Sequence, residues 1–183
     1  LAKLGVEIHL NAEARSAQAL FDAGHTHVIA AIGAWAPGGL RLEKGQALDA
    51  LEFLEAAKKH PAALRLGRAV AVVGGGNTAM DAARAAKRLP GVERVALIYR
   101  RTRKEMPADC EELSLALQDG VEFCELRSPL AHEGGVLRCE VMRLGEADAS
   151  GRFRPQSTGE YVVVPADAVI SAVGERVDQK CLA

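Results

Sequence analysis

Three consecutive glycines interrupt the stretch "AVAVVGGGNTAMDAARAA" at residues 69–86. Gly74, Gly76 and Ala79 have the spacing G-x-G-x-x-A. In a dinucleotide-binding turn the first glycine permits the tight bend, and the second lets the backbone approach a pyrophosphate. The third position must be small so that the following helix packs closely on the preceding strand. The spacing therefore predicts a site for the pyrophosphate of a dinucleotide.

Polar residues follow the glycines where a helix is predicted to begin. Gly75, between the two motif glycines, also lacks a side chain. Asn77 and Thr78 place hydrogen-bonding side chains beside the free N–H groups of the first helical turn. Those N–H groups and the positive end of the helix dipole attract phosphates. A glycine turn can also be purely structural, but the order of strand, turn and helix favours nucleotide binding.

A basic run, "ALIYRRTRKE" at residues 96–105, ends the second predicted strand. NAD sites usually carry Asp or Glu at this place, bound to the ribose 2′-hydroxyl. Here Arg100 and Arg101 follow Tyr99, and the first acid is Glu105. A guanidinium grips a 2′-phosphate in a bidentate fork. The alternative is a solvated basic loop, but its position at the strand end favours NADP(H).

Two acids and a tryptophan each have two interpretations. Asp81 is favourable near the helix dipole, and Glu112, three residues after Asp109, suits a capping box. For Glu112 the functional alternative is a contact near the nicotinamide ribose. Trp35 could cover a flavin or pack against a neighbour, and we favour packing.

The order of the apolar runs predicts an α/β fold. The pattern β-α-β-α-β implies a Rossmann-like parallel sheet with right-handed crossovers and helices on both faces. Its predicted elements are the strand 69–73, the helix 77–88, the strand 92–99, the helix 109–120 and the strand 121–126. Alternating segments at 136–144, 152–155 and 160–165 then predict an antiparallel meander.

Further elements are predicted before and after this unit. Strands are expected at 5–10 and 26–34, a linker at 37–45 and a helix at 47–59. The last predicted strand, "DAVISAVG" at 167–174, repeats the pattern of "THVIAAIG" at 26–33.

The composition excludes several classes of protein. The chain has 183 residues and a net charge of −1, which gives no general attraction to nucleic acid or to a membrane surface. The longest apolar run, Val28 to Ala36, is shorter than the roughly 20 residues that span a bilayer. Without a C-x-x-C pair, we expect a cytoplasmic protein with free thiols and no metal or iron–sulfur cluster in this chain. Its cysteines are Cys110, Cys124, Cys139 and Cys181.

The stretch "VVGGGNTAMDAARAAKRLPGVERVALIYRRTRKEMPADCEEL", followed by "DGVEF", resembles the pyridine-nucleotide domain of glutamate synthase small-subunit-type flavoproteins. The likeness is strongest to the branch of the selenate reductase iron–sulfur subunit and covers most of the chain. It implies an N-terminal iron–sulfur domain, then an FAD domain with an NADPH domain inserted into it. We therefore expect an internal fragment, since the chain begins without methionine. The implied parts are 1–36 (tail of an FAD-domain segment), 37–65 (crossing linker and helix), 66–172 (NADPH domain, meander about 127–165) and 173–183 (start of the return to the FAD domain).

The resemblance also implies an activity and its residues. The parent would be an NADPH-dependent oxidoreductase in which hydride passes to FAD and electrons leave through iron–sulfur clusters held in its N-terminal part, to a redox partner subunit. No catalytic acid, base or nucleophile is required of this domain. The alternative is a non-catalytic Rossmann scaffold or nucleotide sensor. The implied cofactor-binding residues are Gly74, Gly75, Gly76, Asn77, Thr78, Ala79, Arg100, Arg101, Glu112, Val173 and Gly174.

Overall fold

The computed structural model describes residues 2–34, 36–148 and 151–177. Two compact units are present, Pro37–Glu175 and Leu1–Ala36 with Arg176–Ala183. The α-helices are α1 (Ala17–Asp22), α2 (Ala50–Lys59), α3 (Asn77–Lys87) and α4 (Cys110–Gln118), and short 3-10 helices lie at Ala2–Leu4, Pro61–Ala63 and Arg103–Glu105. The strands are β1 (Ala36–Pro37), β2 (Leu48–Asp49), β3 (Ala69–Gly74), β4 (Arg94–Ile98), β5 (Glu122–Cys124), β6 (Arg127–Glu133), β7 (Val136–Ala147), β8 (Phe153–Pro165), β9 (Ala168–Ala172) and β10 (Glu175–Arg176).

A five-stranded parallel sheet forms the centre of the unit Pro37–Glu175. Its strand order is β2-β9-β3-β4-β5, and every neighbouring pair is parallel. Both faces are covered, which explains why β3 and β4 are continuous apolar runs. In β3, Val70 and Val72 pack on one face, whereas Ala71 and Val73 pack on the other. The α/β class with a parallel and an antiparallel sheet is therefore confirmed.

Three helices cover one face of this sheet. Phe53 of α2, Met80 of α3 and Leu113 of α4 lie in one buried cluster with the valines of β3 and β4. Alanines on the buried side of α3 let this helix approach the strands closely. Asp49 begins α2 by accepting hydrogen bonds from the N–H groups of Leu51 and Glu52 at 2.9 and 3.2 Å.

The second face is covered by an antiparallel sheet of order β6-β7-β8, and not by the helices that we expected there. Strand direction explains the difference. The crossovers from β2 to β3, β4 and β5 all proceed the same way across the sheet, so right-handed connections put their helices on one face. The return from β5 to β9 runs the opposite way, and its connection lies on the other face. That connection is the antiparallel sheet, where Leu137 and Cys139 are buried.

The predicted elements of this unit need three corrections. β6 was missed as a strand, and β8 is continuous where two short strands were predicted. The segment 37–45, predicted as a linker, is part of the compact unit: Leu40 and Leu42 pack on the second core, and the N–H of Glu43 donates to the carbonyl of Leu130 at 2.7 Å. The segment was predicted as a linker because it is rich in turn-forming residues, and its two apolar residues were given no weight.

The unit that contains residues 1–36 has little regular structure. α1 begins at Ser16, whose hydroxyl accepts the N–H of Ala19 at 3.1 Å. The strands predicted at 5–10 and 26–34 are wrong for this structure, because neither segment is paired as a strand within 2–34. Most of their apolar residues are exposed, Ile29 to 92%. A strand needs a hydrogen-bonded neighbour, and alternation alone does not provide one.

No helix in the described ranges is long and apolar enough to cross a membrane.

Candidate nucleotide-binding site

A cavity of about 680 Å³ opens at the carboxyl ends of β4, β3 and β9. Chain order reverses between β3 and its neighbour β9, because β4 and β5 follow β3 on one side while β9 returns on the other. Ligands of open α/β sheets bind at such a switch point, outside the carboxyl ends of the strands. The volume of the cavity is within the range of small-molecule and cofactor sites.

Gly74, the last residue of β3, permits close packing on two sides. A Cβ at this position would lie 2.3 Å from the carbonyl oxygen of Ala172 in β9 and 3.0 Å from the Cβ of Ala79 in α3. Ala79 is fully buried. The first glycine and the small third position of the motif therefore bring strand and helix together, as their spacing predicts.

The next two glycines differ from each other. A Cβ on Gly75 would lie 2.4 Å from the ring of Tyr99, so this glycine makes room for an aromatic side chain. A Cβ on Gly76 would meet no atom within 4 Å. Gly76 has a φ of −97° and begins α3, so any backbone demand for glycine is weak there. The open space in front of Gly76 is where a phosphate can approach the helix N-terminus.

The two polar residues after the glycines have different surroundings. Thr78 lines the cavity. Asn77 does not: its side-chain oxygen accepts the N–H of Asp109 at 3.0 Å. Asn77 therefore joins the start of α3 to the start of α4, and its predicted contact with the pyrophosphate has no support from its position.

Five arginines line the cavity, and its described lining contains no Asp or Glu. Arg100 and Arg101 are the two that the sequence predicts, at the end of β4. The others come from three separate parts of the unit: Arg41, Arg127 and Arg152. A site with this charge attracts an anion, and no carboxylate in its described lining would repel a phosphate.

Arg101 is held by the antiparallel sheet. Its Nε donates to the carbonyl oxygen of Phe153 in β8 at 2.8 Å. A guanidinium carries five N–H donors. This contact uses the one on Nε, so the four donors on the two Nη atoms can still bind a ligand. Arg101 is thus oriented without losing the fork that binds a phosphate.

The acid nearest to the arginine pair in sequence is occupied elsewhere. Glu105 and Thr102 form a capping box around the 3-10 helix Arg103–Glu105. The N–H of Thr102 donates to Glu105 at 3.1 Å, and the Tyr99 hydroxyl donates to the Glu105 carbonyl at 2.8 Å. The spacing T-x-x-E at residues 102–105 is typical of a capping box and could have predicted this turn from the sequence.

Glu112 pairs with α3, and its implied role as a cofactor-binding residue stays a prediction. It does not line the cavity, and its carboxylate lies 3.5 Å from Nη1 of Arg84. Arg84 also donates to Asp119 at 2.9 Å, and these partners and Asp81 raise the pKa of Arg84, with the Asp119 hydrogen bond as the largest cause. The capping box with Asp109 is absent as well, since the Asp109 side chain makes no capping hydrogen bond. Attraction to Arg84 directs Glu112 toward α3.

The end of β9 supplies the opposite wall of the cavity. Val173 and Gly174 line it, and their implied role in cofactor binding stays a prediction. The carbonyl of Gly174 accepts the N–H of Gly38 at 2.7 Å, and a Cβ on Gly38 would lie 2.3 Å from that oxygen. Trp35 and Cys181 lie outside the described residues.

The described cysteines are free thiols and do not belong to this cavity. Cys139 is fully buried, and burial raises the pKa of its thiol to about 12. Cys110 is exposed. No group of His, Cys, Asp or Glu in the described part of the chain could hold a metal ion.

The model of the pyridine nucleotide-disulphide oxidoreductase family matches residues 10–183, and the chain belongs to this family.

Curated relatives extend the comparison. The chain is 45% identical over 166 residues to the oxidoreductase YgfK of Escherichia coli K12, covering 89% of this chain and 16% of that protein. It is 40% identical to the NADPH-Fe(3+) oxidoreductase subunit beta of Geobacter sulfurreducens (96% and 27% covered) and 39% identical to the glutamate synthase [NADPH] small chain of Azospirillum brasilense (73% and 27%). The predicted resemblance to the glutamate synthase small-subunit type is confirmed. The selenate reductase branch stays a prediction.

Solved structures share the fold. FprA, an oxidoreductase of Mycobacterium tuberculosis, superposes with a TM-score of 0.61 at 21% identity, covering 80% of this chain and 49% of that one. A 2-naphthoyl-CoA reductase superposes with a TM-score of 0.59 at 15% identity, and the match covers the whole of this chain and 25% of the reductase chain. The chain spans about one sixth to one quarter of the relatives named above.

Proposed function

We propose that this chain binds NADPH at the carboxyl edge of its parallel sheet and positions it for hydride transfer to FAD in an NADPH-dependent oxidoreductase. One observation carries the proposal. A single continuous cavity joins the glycine turn to five arginines, with no acid in its described lining. An NAD site would instead place a carboxylate beside the ribose.

Strand order supports one orientation of the nucleotide. Arg100 and Arg101 follow β4, the glycine turn follows β3, and Val173 follows β9, with neighbouring strands about 4.8 Å apart. Arg100 and Arg101 would therefore hold the 2′-phosphate on the β4 side, and the start of α3 at Gly76 would hold the pyrophosphate. Val173 and Gly174 would lie on the side of the nicotinamide.

NADPH supplies the hydride when it is bound. The chain's own residues bind and orient it. N–H groups at the start of α3 donate to the pyrophosphate, and Thr78 lies beside them. Arg101, oriented by the Phe153 carbonyl, and Arg100 hold the 2′-phosphate. Buried apolar residues beneath the turn keep these groups at fixed spacing.

The remaining assignments concern the intact protein. Residues 1–36 and 173–183 belong to an FAD-binding domain, and 37–65 lead from it to the NADPH domain. Iron–sulfur clusters and a redox partner subunit lie outside this chain, and the compartment is the cytoplasm. The family and the greater length of the relatives support the assignment of residues 1–36 and 173–183 to a further domain.

Gly76→Ala tests the site. Its Cβ meets no protein atom, so we expect a folded variant with nearly unchanged thermal stability. That Cβ occupies the space of the pyrophosphate, so NADPH affinity falls at least about tenfold, the equivalent of one charge-assisted hydrogen bond. Calorimetric titration of the intact protein measures it.

Gly74→Ala is the contrasting variant. Its Cβ would meet the Ala172 carbonyl at 2.3 Å, so we expect loss of both stability and binding. Unchanged NADPH affinity in a folded Gly76→Ala variant would contradict the proposal and favour a scaffold or sensor.

A further inference from the structure

The hairpin between β7 and β8 has a fixed end beside the arginine pair. The N–H of Arg152 donates to the Asp148 carboxylate at 3.1 Å, and the N–H of Asp148 donates back to the Arg152 carbonyl at 2.9 Å. The N–H of Gly151 also donates to the Asp148 carbonyl, at 2.8 Å. These bonds hold the backbone of Arg152 directly before β8.

Phe153 links Arg152 to Arg101. Phe153, whose carbonyl accepts Nε of Arg101, is the next residue after Arg152. Both arginines line the same cavity, although they are 51 positions apart in the chain. The antiparallel sheet therefore brings a third guanidinium to the group formed by Arg100 and Arg101.

We infer that Arg152 is a third ligand of the NADPH 2′-phosphate, so that the antiparallel sheet determines cofactor selectivity together with β4. The inference rests on the proposed function. A phosphate monoester presents three acceptor oxygens and nearly two negative charges. Two guanidinium forks from one loop approach it from one side, and Arg152 approaches from the β8 side.

The other two arginines of the cavity do not fit this role as well. Arg127 donates Nη1 to the carbonyl of Leu126 at 3.0 Å. Arg41 is three residues after Gly38, which is bonded to Gly174 at the β9 end of the cavity. Arg152 is the one whose neighbour accepts a hydrogen bond from the Arg101 side chain, whereas the N–H of Leu126, next to Arg127, donates to the backbone carbonyl of Arg101 at 3.2 Å.

The test compares Arg152→Ala with Arg154→Ala in the intact protein. Both residues are exposed and each variant removes one positive charge at the start of β8, but Arg154 does not line the cavity. The probes are adenosine 2′,5′-bisphosphate and adenosine 5′-monophosphate, which differ by the 2′-phosphate. Calorimetry at low and moderate salt measures both affinities, because exposed charges are screened by salt.

We expect Arg152→Ala to weaken the bisphosphate about tenfold and the monophosphate less than twofold. Arg154→Ala should leave both within twofold, and Arg152→Lys should retain part of the affinity, since it keeps charge but loses the fork. Equal effects of Arg152→Ala and Arg154→Ala would overturn the inference, as would equal weakening of both probes by Arg152→Ala. Wild-type protein that does not prefer the bisphosphate would overturn the proposed function itself.

Discussion

Two segments of the chain share a pattern and differ in structure. "THVIAAIG" at 26–33 and "DAVISAVG" at 167–174 share Val-Ile at their third and fourth positions and Ala, an apolar residue and Gly at their last three. The second forms β9, where Ile170 is fully buried. The first forms no strand, and Ile29, at the same place in the pattern, is 92% exposed.

The difference lies in the neighbours. Ile170 is paired with Leu48 of β2 and Val72 of β3, so β9 has a hydrogen-bonded strand on each side. A polar residue precedes both runs, but Asp167 binds across the fold to the N–H groups of Arg68 and Ala69 at 2.7 and 2.9 Å. An apolar run gives a segment the capacity to form a buried strand, and paired neighbours determine whether it does.

The largest contrast is expected in amide hydrogen exchange. In the 183-residue chain, the amides of 169–171 should exchange at least about 1,000-fold more slowly than those of 28–30, because they open only with the sheet. Mass spectrometry of peptides from both segments measures this. Equal rates would refute the contrast. In the intact protein, slowing at 28–30 would support the proposed FAD-domain assignment of residues 1–36.

Side-chain truncation should follow the same contrast. Ile170→Ala leaves a cavity in the sheet core and should lower the free energy of unfolding by about 2–5 kcal/mol. Ile29→Ala removes an exposed side chain and should change it by less than about 0.5 kcal/mol. Urea denaturation of both variants supplies the comparison, and similar losses would mean that residues 26–33 are packed.

Acid stability should depend on Asp167. Hydrogen bonds from the N–H groups of Ala69 and Arg68 lower the pKa of its carboxyl. A depressed folded-state pKa contributes stability above the unfolded value of about 3.9, and that stability is lost as pH falls through the folded-state pKa. Asp167→Asn should therefore lower Tm at pH 7, with a difference from wild type that shrinks below pH 4.

Thr26→Val is the matched control for that measurement. The Thr26 hydroxyl contacts only the adjacent His27 ring among the hydrogen bonds described, at 3.1 Å. Its Tm should equal the wild-type value at both pH values. A constant Tm difference for Asp167→Asn across the acid range would show that its carboxylate charge contributes nothing.

Sequence could predict the β3-α3-β4-α4-β5 core, because continuous apolar strands alternate there with helical segments that Gly76 precedes and Gly120 follows. It could also place the glycine turn and the arginine pair on one sheet edge, since strand ends determine both. It could not assign Arg152, which reaches the site only through the pairing of β7 and β8. The side-chain environments of Asn77 and Glu112 could not be predicted for a similar reason: their partners, Asp109 and Arg84, are set by the packing of α3 against α4.

The most direct test is a titration of the intact protein with NADPH and NADH, using wild type and Arg100→Ala/Arg101→Ala. The control, Arg103→Ala/Lys104→Ala, removes the same charge from the same basic run but outside the cavity. We predict that wild type and control prefer NADPH by at least about tenfold, less so at higher salt, and that the double arginine variant loses this preference. Equal affinity of wild type for both nucleotides, or an unchanged preference in the variant, would contradict the account.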